Sequence, residues 1–169
     1  MIRTTLCFAS VLALQVALAG TAGAAEMAKA VLSDPDGKEV GTVTLTAVPT
    51  GVLLNVELTA FPEGTHAFHI HGTGKCEPPS FKSAEGHFNP EEDQHGLENP
   101  AGPHAGDMPN IHVPANGKFH IEVMNQMVSL PGLLEGEGTA IVVHEKGDDY
   151  ISNPAGDAGP RIACGVINE

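Results

Sequence analysis

The sequence has no tryptophan, a single tyrosine and only 4% aromatic residues, which argues against a large aromatic recognition surface. Its 169 residues carry 8 Lys and Arg against 21 Asp and Glu, a formal net charge of −13, so nucleic acid and anionic membrane are poor partners. Helical periodicity is missing, and no apolar run after the N-terminus reaches the roughly 20 residues that a membrane-crossing helix needs. Cysteine is scarce too, with three residues in all, and once two of them pair no set of thiolates is left for a Cys-rich structural zinc site.

What is present begins with a leader. Met1-Ile2-Arg3 gives a positive start, residues 6–18 are apolar and Ala22-Gly23-Ala24 offers a small-residue cleavage site; together they predict a secretory signal peptide over residues 1–25. The mature domain, 26–169, is then expected to be periplasmic or secreted, and free of the membrane once the leader is cut. Cleavage removes Arg3 and Cys7, leaving the chain one unit more negative and two cysteines, Cys76 and Cys164, in a compartment that permits oxidation. They are expected to pair. Closing a loop of roughly 90 residues is worth about 4–5 kcal/mol in the chain-entropy model.

Apolar and polar residues alternate with period two over 39–48 and 52–59, between the turn signals Asp34-Pro35-Asp36-Gly37 and Phe61-Pro62-Glu63-Gly64. Further strands are expected at 27–33, 66–71, 107–113, 117–124, 139–144 and 161–167. Eight strands without a helix predict an all-β antiparallel Greek-key barrel or sandwich with two long loops, 72–106 and 145–159. A loop as long as the first needs something internal to hold it.

That something is a set of ligand-type side chains. In His66-Ala67-Phe68-His69-Ile70-His71 a strand puts His69 and His71 on one face and Phe68 and Ile70 on the other. His87, His95, His104 and Asp107 follow inside the Gly- and Pro-rich loop, and His144 comes later. Imidazoles with one carboxylate suit zinc or copper better than calcium or magnesium, which take many oxygens. Two half-buried histidines on an ordinary strand would be the plain alternative, but the further donors and the loop that carries them count against it.

These residues resemble the copper-zinc superoxide dismutases in their secreted bacterial branch, over essentially the whole mature chain. The resemblance rests on His66-Ala67-Phe68-His69-Ile70-His71, on Gly86-His87-Phe88-Asn89-Pro90, and on the steps from His87 to His95, His104 and Asp107. Val142-Val143-His144-Glu145-Lys146-Gly147-Asp148-Asp149 and Arg161-Ile162-Ala163-Cys164-Gly165-Val166-Ile167 complete it. It implies copper on His69, His71, His87 and His144, zinc on His87, His95, His104 and Asp107, and His87 as a bridge between them. It also implies Asp148 as the carboxylate linking His69 to His95, a Cys76–Cys164 disulfide, and Arg161 beside the copper. The implied reaction is dismutation of superoxide to dioxygen and hydrogen peroxide, in a monomer or homodimer.

Other residues have plainer readings. His66 is expected to be a hydrogen-bonded framework residue, His112 and His120 to be surface or half-buried histidines, and Glu91, Glu92, Asp93 and Asp149 to be solvated acids. Lys75, Lys82 and Lys146 are candidates for steering an anion toward the site. The alternative function is a copper- or zinc-binding or delivery protein on the same barrel, without turnover; a purely structural zinc domain would have no need of His69, His71 and His144.

Overall fold

The computed structural model describes residues 26–169; the expected signal peptide lies outside the described residues. Among the described residues nine strands make up the fold: β1 (Met27–Ser33), β2 (Glu39–Val48), β3 (Gly51–Leu58), β4 (Gly64–His66), β5 (Phe68–His71), β6 (Ile111–Val113), β7 (Phe119–Asn125), β8 (Ala140–His144) and β9 (Arg161–Asn168). Seven of them form one curled antiparallel sheet in the order β5-β8-β9-β1-β2-β3-β7, and β4 pairs with β6. The non-sequential neighbours are those of a Greek key.

Period-two patterning decides what each strand buries. Val43 and Leu45 of β2 and Val52, Leu54 and Val56 of β3 are fully buried, while Thr42, Thr44 and Thr46 face outward. The first hairpin is held by Asp34, whose Oδ1 accepts the amides of Asp36 and Lys38 at 3.0 and 2.9 Å, with Gly37 at φ +81°. Phe68 and Ile70 of β5 and Ile141 and Val143 of β8 close the main core. On the other face of the same two strands Ala140 and Val142 join Phe81, Ala84 and Cys164 in a small second cluster. In that layer His69 is paired with Val142 and His71 with Ala140.

Two expectations need correction. The histidine strand breaks at Ala67, whose amide donates to Lys146 O and whose carbonyl accepts the His144 amide; this separates β4 from β5, so eight strands become nine. The stretch expected to be helix-free contains a short helix, α1 (Leu130–Leu134), capped by Ser129 Oγ accepting the Gly132 amide at 3.2 Å, and a 3₁₀ turn at Lys82–Ala84. In α1, Leu130 and Leu133 are buried. Cys76 and Cys164 are bonded, 88 residues apart in sequence, so the first long loop is tied to β9.

Candidate metal centre

The loop reaches the histidine strand by completing its edge. Ile70 donates its amide to Gly106 O at 2.9 Å and accepts the Phe88 amide at 2.8 Å, which brings His87 opposite His71 and Asp107 opposite His69. Only glycine fits at 106, where a Cβ would sit 2.2 Å from Ile70 O. Backbone pairing therefore delivers side chains distant in sequence to one face of β5.

Two groups of donors result. His69, His71, His87 and His144 form one, and His87, His95, His104 and Asp107 the other; within each group the ligand-type atoms lie within 4.8 Å of one another, and all seven residues are buried. In the first group His69 Nδ1, His71 Nε2, His87 Nε2 and His144 Nε2 have no hydrogen-bond partner. Buried polar atoms rarely go unpaired, and four converging imidazole nitrogens fit a metal ion. Their opposite ring nitrogens are engaged: His71 Nδ1 lies 2.8 Å from Glu85 O, His144 Nδ1 3.2 Å from Gly159 O and His69 Nε2 2.7 Å from Asp148 Oδ2. An N–H donated there leaves the other nitrogen's lone pair free for a metal.

In the second group Asp107 Oδ1 lies 2.7 Å from His87 Nδ1, 3.1 Å from His95 Nδ1 and 3.3 Å from His104 Nδ1. Tetrahedral zinc bonds of 2.0–2.1 Å set ligand atoms roughly 3.3 Å apart, so the set suits zinc. Oδ2 of Asp107 is fixed by the amides of Gly96 and His104. His87 contributes one ring nitrogen to each group. Asp148 joins the groups from behind, its Oδ1 lying 3.0 Å from His95 Nε2 and its Oδ2 against His69.

Electrostatics follow the same division. Burial, with neighbouring imidazoles, depresses His71 well below the ordinary histidine value, His87 to about 4 and His144 to about 3. Burial would lower His95 as well, but Asp107 and Asp148 outweigh it and raise the ring to about 9. Burial opposes ionisation of the two carboxylates, yet hydrogen bonds from His87 and His95 to Asp107, and from His69 and His95 to Asp148, hold both well below the usual range.

The family model for copper/zinc superoxide dismutase matches residues 39–167. The chain belongs to the copper/zinc superoxide dismutase family. It is 50% identical over 137 residues to superoxide dismutase [Cu-Zn] 1 of Aquifex aeolicus, covering 78% of this chain and 81% of that protein. It is 45% identical over 147 residues to superoxide dismutase [Cu-Zn] of Caulobacter vibrioides, covering 83% and 84%. The crystal structure of a superoxide-dismutase-like protein from Bacillus subtilis superposes with a TM-score of 0.79 at 36% identity, over 82% of this chain and 96% of that one. As a copper-zinc superoxide dismutase the chain is an oxidoreductase, with copper and zinc as cofactors.

Arg161, half-buried at the start of β9, donates through Nη1 to Phe81 O at 2.6 Å and through Nη2 to Glu85 O. Glu85 O also holds His71, so one carbonyl positions both the cation and a donor ring. A cleft of about 390 Å³ lined by Pro79, Ser80, Lys82, Gly159, Pro160 and Arg161 opens here. A cavity of about 440 Å³ elsewhere, against Phe61 and His66, holds none of the seven donors.

His66 faces His144 O and Pro62 O with its two ring nitrogens, as a framework residue would; His112 and His120 are exposed. Lys75 is paired with Glu137 at 2.9 Å on the exposed surface, so a carboxylate offsets its charge locally. Tyr150 and Asn110 were not legible as site residues, yet both contact Asp148. The only signal was position: the lone tyrosine stands two residues after Asp148, and Asn110 three after Asp107.

Proposed function

We propose that the chain is an exported enzyme that dismutes superoxide, with copper on His69, His71, His87 and His144 and zinc on His87, His95, His104 and Asp107. The observation that carries this reading is His87, whose Nε2 is unpartnered among the first group while its Nδ1 lies against Asp107 in the second. Bound copper supplies a one-electron couple and zinc, without redox chemistry, fixes geometry.

The rest falls to the protein. Arg161 places a fixed positive charge at the cleft, where an anionic substrate approaching a strongly acidic body needs one; electrostatic steering of this kind is well known for superoxide dismutases. Lys82 lines the same cleft and extends the field outward. His87 Nε2 would hold one of the two protons that reduction of the second superoxide to hydrogen peroxide consumes, the other coming from water, and its Nδ1 against Asp107 would keep the ring in place. Asp148 keeps His69 and His95 in their working tautomers. Export is supported by the leader sequence and by the disulfide.

Metal content measured together with superoxide consumption on the purified mature protein tests the proposal. One copper and one zinc per chain with rapid turnover supports it. Full loading without turnover would instead support the delivery protein on the same barrel.

A further inference from the structure

Tyr150, the chain's one tyrosine, ties together segments that the ligand set needs in register. Its backbone amide donates to Asp148 Oδ1 at 2.6 Å. Its carbonyl accepts the Glu98 amide at 3.1 Å and lies so close to Gly96 that a Cβ there would fall 2.0 Å from the oxygen. Its phenol oxygen accepts the Asn110 amide at 2.7 Å. Asn110 in turn grips the Asp148 backbone twice, donating to Asp148 O at 2.9 Å and accepting the Asp148 amide at 2.7 Å.

The backbone of Tyr150 sits at φ +65°, a left-handed conformation that bulky residues rarely adopt. Such a residue persists where its surroundings over-determine it, and here they do so from three directions. Asn110 also lies three residues beyond Asp107, so slack at its amide would loosen Asp107 and Asp148 together.

We propose that Tyr150 is a positioning residue for zinc: its phenol fixes Asn110, Asn110 fixes Asp148, and Asp148 orients the ring of His95. The inference rests on the assignment of His95 to zinc. Outer partners of metal-bound histidines are commonly worth 10- to 100-fold in metal affinity, and one hydrogen bond removed at two steps' distance belongs at the low end.

Tyr150→Phe in the full mature protein removes the phenol oxygen and little else. Zinc affinity, read by competition with a chromophoric chelator, should fall roughly tenfold, and the visible bands of cobalt(II) bound in place of zinc should shift while the circular dichroism of the fold stays unchanged. Asn110→Ala should also weaken zinc, and the double variant should be no weaker than Asn110→Ala alone, because both residues act along one chain of contacts. Zinc affinity within twofold of the parent, with unmoved cobalt bands, would overturn the proposal even if thermal stability fell, since a purely packing role predicts that pattern. Additive losses in the double variant would overturn it as well. A parent that takes up no zinc removes the assignment of His95 itself, and this inference with it.

Discussion

Asp148→Asn exchanges one carboxylate oxygen for an NH₂ group and leaves the volume almost unchanged. In the parent, Oδ1 receives the His95 ring and the Tyr150 amide, and Oδ2 receives His69 at 2.7 Å. If the asparagine oxygen keeps the Oδ1 side, its NH₂ faces the Nε2–H of His69, donor against donor. His69 escapes by moving its proton to Nδ1, the nitrogen aimed at the first group, and copper then competes with that proton. Turned the other way, the NH₂ opposes His95, and zinc meets the same conflict. Either orientation costs one half of the centre a ligand, so metal affinity should fall 10- to 100-fold, about 1.4–2.8 kcal/mol. Competition titrations with copper- and zinc-selective chelators at neutral pH read both halves separately. Affinities for both metals within twofold of the parent would refute the reasoning.

Arg161→Ala should cut superoxide turnover at least tenfold at low ionic strength and flatten its salt dependence, with copper content by mass spectrometry unchanged; loss of copper would show that the arginine supports the ligands instead. The metal-free protein should lose stability on acidification from pH 6.5 to about 4. The unfolded chain takes up a proton near 6.5 while buried His87 resists until about 4, so this ring alone costs roughly 3 kcal/mol across that window. His144, depressed to about 3, acts in the same direction, whereas the stabilisation from His95, raised to about 9, is complete below 6.5, declines as pH rises from 6.5 to 9 and is gone above that. Thermal melts of metal-stripped protein across this range check it, and a flat profile would contradict it. Reducing the Cys76–Cys164 bond should speed hydrogen exchange in residues 72–106 while leaving β2 and β3 protected, because the bond anchors the loop and not the barrel.

The barrel strands were legible because burial on one face imposes period two, as in Val52, Leu54, Val56 and Leu58. The break at Ala67 was not, since the alternation runs straight through it and only the pairing of Ala67 with Lys146 and His144 reveals it. Nor was α1, whose Leu130-Pro131-Gly132-Leu133-Leu134 is too short for a period and contains two residues that usually end helices. At the site, spacing made His69 and His71 neighbours, but nothing local could bring His144 or Asp107 to them. The backbone pairing of Ile70 with Phe88 and Gly106 does that, and it depends on the close approach of Gly106 to Ile70, two residues 36 positions apart with no shared sequence pattern. The grouping of donors came from resemblance to the family; the second layer of Tyr150 and Asn110 carried no motif.

The central claim, that two metals share His87, is tested most directly by a crystal structure of the metal-loaded mature protein with anomalous data at the copper and zinc edges. Copper should be bonded to Nδ1 of His69 and Nε2 of His71, His87 and His144, and zinc to Nδ1 of His87, His95 and His104 and Oδ1 of Asp107. A single metal, or two metals with His87 bonded to only one under oxidising conditions, would contradict it.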